Sequence, residues 1–285
     1  MKLTPETFDA IREVVHDLCG LVVGDDKHYL VVTRLEPVLK RLGIPSYESF
    51  VQGLAGPDAT HLREQLVEAI TTKETSFNRD GHPFETLRRS ILPELASRLL
   101  DRRAGPGPTH ARCRIWCAAV ATGQEAYSVA MAVSEFLASR PGLELSLDDF
   151  PILATDISAR ALAIAREGRY STEEVRRGIS EDSRLRHFRR DGESWIVSEP
   201  LRRMIDFRRL NLARPLPNLG TFDLILCRNF LIYLDDDTRR RLCQGFHRAL
   251  NPSGFLMIGA AESLYGVTDS FSAEQFGKTL VHRKR

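Results

Sequence analysis

The 285-residue sequence contains no apolar run that approaches the ~18–20 residues needed to cross a bilayer. Its opening stretch, MKLTPETFDAIREVVHDL, carries charged residues where a signal peptide would need an apolar segment. The sequence therefore predicts no membrane insertion and a cytoplasmic location.

The spacing of the cysteines and histidines gives no indication of a disulfide or of a metal site. The five cysteines are scattered without a CxxC pair, and the eight histidines show no metal-ligand spacing. Free thiols in a reducing compartment and no bound metal are expected. The net charge of +2 does not indicate a nucleic-acid-binding protein. An apolar share of 42% with 27% charged residues is typical of a globular domain.

Residues 1–72 show the apolar spacing of amphipathic helices. PETFDAIREVVHDLCG has one apolar face and ends at Gly20, and DDKHYLVVTRLEPVLKRLG ends at Gly43. Pro37 lies inside the second run and is expected to kink or split that helix. SYESFVQGL, capped by Ser46, and PDATHLREQLVEAI predict two more helices. A small N-terminal helical bundle is therefore predicted.

Residues 73–110 predict a linker, TTKETSFNRDGHP, followed by one helix, FETLRRSILPELASRLLDRR, and the loop RRAGPGPTHAR. From 111 to 285, short apolar runs alternate with helical ones, which predicts an α/β domain with a mainly parallel sheet covered on both faces. Predicted helices of this domain span 124–139, 158–167 and 236–250. The Arg-rich stretch at about 169–204, which contains the strand-like SWIVS, interrupts the alternation and predicts an inserted subdomain.

The junction RIWCAAVATGQEAYSVAM joins a buried strand to a helix through a single glycine, Gly123. Ligands of open parallel sheets bind beyond the carboxyl ends of the strands, and a pyrophosphate would need several glycines there. The next predicted strand ends at Asp156, whose carboxylate can accept hydrogen bonds from both hydroxyls of a ribose. A nucleoside without a pyrophosphate is indicated, and S-adenosylmethionine fits.

Seven sequence blocks, in order, resemble the chemotaxis receptor methyltransferases of the CheR family over nearly the whole chain. They are FDAIREVVHDLCGLVVGDDKHYLVVTRLEPVLKRLG, TKETSFNRD, RIWCAAVATGQEAYSVAMAV, ILATDISARALAIAREGRYS, NL at 211–212, FDLILCRNFLIYLDDDTRRRL and GFLMIGAAESLYG. The resemblance implies transfer of methyl from S-adenosylmethionine to glutamate side chains on a chemoreceptor's cytoplasmic helices, with S-adenosylhomocysteine as product. It also implies a Rossmann-like class I methyltransferase sheet, an N-terminal helical domain and a small inserted antiparallel β subdomain.

The resemblance also implies the site residues. Those expected to bind the cofactor are Lys73, Thr75, Arg79, Glu125, Asp156, Asn211, Leu212, Arg228 and Asn229. Within this set, Thr75 and Arg79 would face the amino-acid tail, and Asn211 and Leu212 would border the adenine. Tyr233 would lie near the methyl group, so Tyr233 and Arg79 are the expected catalytic residues.

Four of these residues also have a plainer structural interpretation. Asp156 could cap the following helix, and Glu125 could be a first-turn carboxylate favoured by the helix dipole. Arg79 could form a surface ion pair with Asp80. Tyr233 could be a core aromatic with a polar tip.

Three other functions share parts of this pattern. A methyltransferase for a small molecule or a nucleic acid would use the same sheet with a different N-terminal domain. A nicotinamide dehydrogenase would need more glycines than Gly123 supplies. A non-catalytic protein that binds S-adenosylmethionine or its product would differ from the enzyme only in failing to methylate a receptor fragment.

The way in which the chain meets its receptor is a separate prediction. Some members of the family dock on a receptor's C-terminal peptide through a glycine-rich extension of the inserted subdomain. The corresponding segment here, HFRRDGESWIVSEPLRR, has only Gly192 and no extension, so independence of that tether is predicted. The expected contact surfaces are the Arg184–Arg190 cluster and the positions Lys27, Arg34 and Arg41. A monomer is expected.

Overall fold

The computed structural model describes residues 1–57, 59–105 and 110–285. Asp58, in the fourth predicted helix, and residues 106–109, in the predicted loop RRAGPGPTHAR, lie outside the described residues. No helix within the described ranges is long and apolar enough to span a membrane. The α-helices are α1 (Pro5–Cys19), α2 (His28–Leu42), α3 (Tyr47–Gly53), α4 (Ala59–Ile70), α5 (His82–Thr86), α6 (Leu92–Ala104), α7 (Gln124–Ala138), α8 (Ala159–Glu167), α9 (Thr172–Arg176), α10 (Glu181–His187), α11 (Glu199–Arg203) and α12 (Asp236–Ala249).

Helices α1–α4 pack around a core of their own, as the apolar spacing predicts. Ser46 caps α3 as expected, because its side chain accepts from the Ser49 amide. Of the two expected effects of Pro37, a kink or a split, the split does not occur, because α2 continues through Pro37 without a break. Because proline has no N–H, the Thr33 carbonyl lacks the helical hydrogen bond that residue 37 would otherwise donate. Thr33 and Pro37 are both exposed, so water can bind this carbonyl.

The helix predicted over FETLRRSILPELASRLLDRR consists of α5, a π-helical segment (Leu87–Ile91) and α6. Pro93, in the first turn of α6, has no N–H for the carbonyl four residues earlier. The helical turn before Pro93 contains one additional residue, so the Leu92 amide donates to the carbonyl of Leu87, five residues earlier.

Two sheets contain all the strands of the described residues. The strands are β1 (Ile115–Ala118), β2 (Ile152–Asp156), β3 (Arg169–Ser171), β4 (Phe188–Asp191), β5 (Ser194–Val197), β6 (Ile205–Arg209), β7 (Phe222–Cys227), β8 (Leu250–Ile258), β9 (Phe271–Phe276) and β10 (Thr279–Lys284). The larger, seven-stranded sheet has the order β6-β2-β1-β7-β8-β10-β9. Strands β6, β2, β1, β7 and β8 are parallel, and β10 is antiparallel to both neighbours.

The predicted fold class is confirmed by this arrangement, including the small antiparallel sheet β3-β5-β4 within the inserted segment. SWIVS contributes β5, and a two-residue turn, Gly192–Glu193, joins it to β4. Strand β9 was not predicted, because half of the residues of FSAEQF are polar and only the first is fully buried. It forms through a hairpin with β10 across Gly277, which has a φ of +58°.

Candidate cofactor-binding site

A cleft with a volume of about 220 Å³ lies where the N-terminal helices meet the carboxyl ends of β1, β2 and β7. The order of the sheet reverses at β1, and this reversal is where open α/β sheets bind ligands. The walls come from the α1–α2 connection, the segment from Ile70 to Arg79, and the loops that follow β1, β2, β6 and β7.

The helical bundle is fixed to the sheet at both sides of the cleft. On one side, Asn211 Nδ2 donates to the Leu18 carbonyl at 2.6 Å, and the Val22 amide donates to the Tyr233 carbonyl at 2.8 Å. On the other side, Ser158 Oγ donates to a carboxylate oxygen of Glu68, in α4, at 2.7 Å. The cleft is therefore assembled from both parts of the chain.

The turn after β1 brings backbone close to the cleft. Ala119, Ala121 and Gly123 have φ angles of +59°, +49° and +94°. A Cβ on Gly123 would lie 2.7 Å from the Cβ of Ala165, so this position tolerates only glycine without movement of α8. Helix α7 starts immediately afterwards, so its first-turn N–H groups, which have no partner within the helix, lie beside the lining residue Glu125.

Asp156 ends β2 beside this turn. Its two carboxylate oxygens accept from the amides of Ala121 and Ser158, each at 2.8 Å. The cap of α8 is Ser158, which accepts from the Ala161 amide, so the capping role considered for Asp156 belongs to Ser158. Burial raises the pKa of Asp156 above its ordinary value. Each oxygen keeps lone-pair capacity for a further donor.

Arg228, at the end of β7, is the most buried charged group of the site. Its side chain has no exposed surface, and its Nη atoms donate to Glu125 at 3.0 Å and to Asp80 at 2.7 Å. A third bond, of 3.1 Å, reaches the Arg79 carbonyl. Burial raises the pKa of Glu125, and the charge of Glu262 adds to the rise, whereas Arg228 and Arg79 oppose it.

The linker between the two parts is held in place by contacts of Phe77 and Asn78, which directly precede Arg79. The Asn78 amide donates to Ser128 Oγ at 2.9 Å, and Asn78 Nδ2 donates to the Gly178 carbonyl at 2.9 Å. A Cβ on Gly178 would lie 1.9 Å from the Phe77 carbonyl oxygen. The Arg79 guanidinium makes one long bond, of 3.3 Å, to the Glu74 carbonyl, and it lines the cleft.

All but one of the residues predicted from the sequence line this cleft. Those that line it are Thr75, Arg79, Glu125, Asp156, Asn211, Leu212, Arg228, Asn229 and Tyr233. Lys73 is the exception, because its ammonium is bound to Glu68 at 2.6 Å and acts on the contact between α4 and α8. The amide of Asn211 is engaged by Leu18 and Ala213, which leaves its backbone and Leu212 to face a ligand.

Two acidic residues of the site were not predicted from the sequence. Asp80 was considered only as a surface partner of Arg79, yet it pairs with Arg228. Glu262 is buried and accepts from the amides of Asn229 at 2.8 Å, Gly259 at 2.6 Å and Ile232 at 3.3 Å. It thereby holds the loop that carries Asn229, whose φ is +58°. The only signal for Glu262 was its place in the block GFLMIGAAESLYG.

The chemistry of these groups fits S-adenosylmethionine. Asp156 offers acceptors for a ribose, Glu125 is an anion for an ammonium or a sulfonium, and Arg79 is a cation for a carboxylate. Apolar walls at Ile157 and Leu212 suit an adenine ring. No group of three or more His, Cys, Asp or Glu side chains in the described ranges is placed to hold a metal ion.

With the strands of the large sheet numbered by themselves, their order is 3-2-1-4-5-7-6, and the cleft lies at the carboxyl ends of strands 1, 2 and 4. This combination defines a class I S-adenosylmethionine-dependent methyltransferase. The chain matches "CheR methyltransferase, SAM binding domain" over residues 73–279 and "CheR methyltransferase, all-alpha domain" over residues 6–71. It belongs to the CheR methyltransferase family.

Relatives of similar length support this membership. The chain is 35% identical to the chemotaxis protein methyltransferase Cher2 of Pseudomonas putida, over 98% of each chain. It is 36% identical to chemotaxis protein methyltransferase 1 of Pseudomonas aeruginosa, over 98% of this chain and 97% of the other. Among solved structures it is similar to the N-methyltransferase NodS from Bradyrhizobium japonicum, at 17% identity and a TM-score of 0.35, covering 84% of this chain and 97% of that chain.

Replacing Asp156 should weaken nucleoside binding. We expect Asp156→Ala to lower the affinity for S-adenosylhomocysteine at least about tenfold, because a hydrogen bond to a charged group contributes roughly 1.5–3 kcal/mol. Calorimetry measures the affinity, and Asp206→Ala, an exposed aspartate on β6, is the matched control. Wild-type affinity in Asp156→Ala would show that this carboxylate does not bind the ribose.

Replacing Glu262 tests whether the loop after β7 has to be held. In Glu262→Gln an amide N–H₂ replaces one acceptor oxygen among three backbone donors, so we expect a loss of roughly 1–3 kcal/mol in the free energy of unfolding. Affinity for S-adenosylhomocysteine should fall with it. Denaturant unfolding and calorimetry measure the two quantities, with the exposed Glu193→Gln as control. Unchanged binding would mean that Asn229 keeps its position without Glu262.

Proposed function

We propose that this chain transfers the methyl group of S-adenosylmethionine to glutamate side chains on the cytoplasmic helices of a chemoreceptor, forming methyl esters in sensory adaptation. Family membership supports the reaction and the class of receptor. The observation that carries the proposal is the placement of charge in the cleft. On the sheet side, Glu125 and Asp156 line the cleft, and the cation Arg228 is neutralised by Glu125 and Asp80. Among the described residues that line it toward the helical bundle and the linker are three cations, Lys27, Arg34 and Arg79, and the single anion Glu74.

The anions that line the sheet side are Glu125 and Asp156, both at the ends of elements that flank β1. The cations nearest the helical bundle are Lys27 and Arg34, with Arg79 in the linker. A ligand with a ribose, an ammonium and a sulfonium suits the first group. A carboxylate that arrives from solvent is attracted by the second group. This polarity suits a reaction between a cationic methyl donor and an anionic acceptor.

When bound, S-adenosylmethionine supplies a methyl group whose bond to sulfur breaks as a bond to a carboxylate oxygen forms, leaving a neutral thioether and an ester. A glutamate is already ionised at neutral pH, so the chain does not need a general base. Its residues have to align the reacting atoms and keep water out. Arg79 would hold the amino-acid tail, Asp156 would hold the ribose, and Tyr233, which lines the same cleft, would lie near the acceptor.

The surfaces proposed to meet the receptor carry basic side chains, some of which are already bound within the protein while others are exposed. Arg34 donates to the Ile70 carbonyl at 2.6 Å and Arg41 donates to Gln65 at 2.6 Å, so both face α4 in part. In the inserted subdomain, Arg184 is stacked on Trp195, while Arg186, Arg189 and Arg190 are exposed. Lys27 and Arg34, which also line the cleft, are therefore the basic residues best placed to guide a glutamate.

The proposal extends to organisation and location. Residues 1–72, 73–110 and 111–285 are proposed as the helical domain, the linker and the catalytic domain, with separate apolar clusters in bundle and sheet in support. Lys73 keeps its proposed contribution to the cofactor site through the α4–α8 contact. A monomer is the expected form. The expected location is the cytoplasm, since the proposed substrate is the cytoplasmic part of a receptor.

The test of this function is incubation with labelled S-adenosylmethionine and a receptor cytoplasmic domain, followed by an assay for base-labile methyl ester. We expect Arg79→Ala to weaken cofactor binding by roughly 1.5–3 kcal/mol, the range for a hydrogen bond to a charged group. Arg79→Lys should restore only part of the affinity, because an ammonium cannot form two parallel bonds to a carboxylate.

The labelling experiment also separates an enzyme from a regulator. If the wild-type protein binds the cofactor but transfers no label to the receptor domain, the chain is a non-catalytic regulator.

Independence of a C-terminal tether is a second test. The turn between β4 and β5 contains only Gly192 and Glu193, which supports the absence of a peptide-binding extension. We expect equal initial methylation rates for a receptor with its final residues and for one truncated before them. A large drop on truncation, or tight binding of the isolated C-terminal peptide, would contradict this prediction.

A further inference from the structure

A second cavity lies at one edge of the large sheet. It has a volume of about 190 Å³ and is lined by side chains of α7, α8, α11 and the edge strand β6. In the described part of the chain, no residue lines both this cavity and the cofactor cleft. The two sites are therefore separate, and we call this one the edge cavity.

The floor of the edge cavity is aromatic and apolar. Tyr127 of α7 and Phe207 of β6 are buried with their ring centroids 5.8 Å apart, and Ile205 lies on the same face of the strand as Phe207. The Tyr127 hydroxyl donates to the Ala165 carbonyl at 2.7 Å, and burial raises the pKa of Tyr127 to about 12, so the phenol stays neutral. Because a cavity of about 150 Å³ can hold benzene, the edge cavity has room for one flat ring.

The walls of the edge cavity carry an excess of positive charge. Among the described residues that line it, three arginines, Arg166, Arg202 and Arg203, accompany one carboxylate, Glu199. Glu199 lies 3.5 Å from Arg202 and 3.4 Å from Arg203. Arg166 donates instead to the Phe207 carbonyl, at 2.6 Å. A single carboxylate cannot neutralise three guanidiniums, so the lining attracts anions.

Arg202 is the cation best placed to hold an anion. Its side chain is 35% exposed, against 73% for Arg203. One Nη donates to the Arg166 carbonyl at 3.1 Å, near the end of α8. Its Nε is buried and has no hydrogen-bond partner in the described ranges. An anionic oxygen would supply that partner through a charge-assisted hydrogen bond.

We propose that the edge cavity is a second ligand site, which binds a small anion that has one flat ring. The ring lies on Tyr127 and Phe207, and the anionic group, a carboxylate or a phosphate, accepts from Arg202 and Arg166. A guanidinium binds either anion through its paired N–H donors. An apolar floor with a few polar groups at its margin is the usual construction of a small-molecule site. The edge cavity lies apart from the cofactor cleft, so its ligand is neither the methyl donor nor the methyl acceptor.

The test uses benzoate and phenyl phosphate as probes, with benzyl alcohol as the uncharged comparison. Each is titrated into the whole chain saturated with S-adenosylhomocysteine, and saturation-transfer NMR measures binding. We expect at least one of the two anions to bind with a Kd below about 1 mM, which is reasonable for so few atoms. Benzyl alcohol should bind at least about fivefold more weakly, because it cannot use the guanidiniums. The two anions together show whether a carboxylate or a phosphate is preferred.

Substitutions then place the bound probe. Arg202→Gln and Arg166→Gln should each raise the Kd of the tighter anion at least about fivefold, and Arg202→Lys should cause a smaller loss. Melting temperatures check that each variant is folded, and Arg166→Gln carries the test if Arg202→Gln is not. The matched control is Arg208→Gln, an exposed arginine on the opposite face of β6 from Phe207, which should leave the Kd unchanged.

Several outcomes would overturn the second site. They are no saturable binding of either anion, equal binding of benzyl alcohol, and a wild-type Kd in both folded glutamine variants. Binding that is seen only without S-adenosylhomocysteine would place the probe in the cofactor cleft and would overturn the second site as well.

Discussion

The site depends on one buried guanidinium. Arg228 is removed from water and is compensated by Glu125 of α7, Asp80 of the linker and the Arg79 carbonyl. Taking a charge out of water costs several kcal/mol unless partners replace the lost hydration, so these groups have to converge wherever Arg228 lies. Three segments that are distant in the sequence are thereby fixed relative to one another. The orientation of Arg79 toward the cleft follows from that convergence.

The helical bundle completes the site rather than covering a finished one. The sheet side supplies Glu125, Asp156 and the neutralised Arg228, and the bundle and linker supply Lys27, Arg34, Arg79 and part of the wall. Glu68 of α4 accepts from Ser158 Oγ and from the Arg160 amide, at the start of α8, so it braces the loop that follows Asp156. A change in the position of the bundle would therefore alter the surroundings of Asp156 and of Arg79 together.

Features that depend on residues close in the sequence were predicted, and contacts between distant residues were not. Alternating apolar runs and helical periods predicted the parallel sheet, and the carboxylate at the end of β2 was correctly expected to face the cleft. The pairing of Arg228 with Asp80 and the loop-holding role of Glu262 join residues 148 and 30–33 positions apart, which no local pattern records. Strand β9 was not predicted for a related reason: half of its six residues are polar, and its pairing with β10 defines it as a strand.

The distribution of charge also suits the reaction itself. A carboxylate and a sulfonium combine to give two neutral products, so charge disappears on the way to the transition state. A strong cation clamped on the acceptor carboxylate would stabilise the ground state more than the transition state and would slow the reaction. Lys27 and Arg34 lie toward the helical bundle, where they can attract the acceptor, while Arg228 is neutralised by its two carboxylates. The cleft can therefore attract an anion and still leave its reacting oxygen unclamped, with the low dielectric of a closed site favouring the loss of charge.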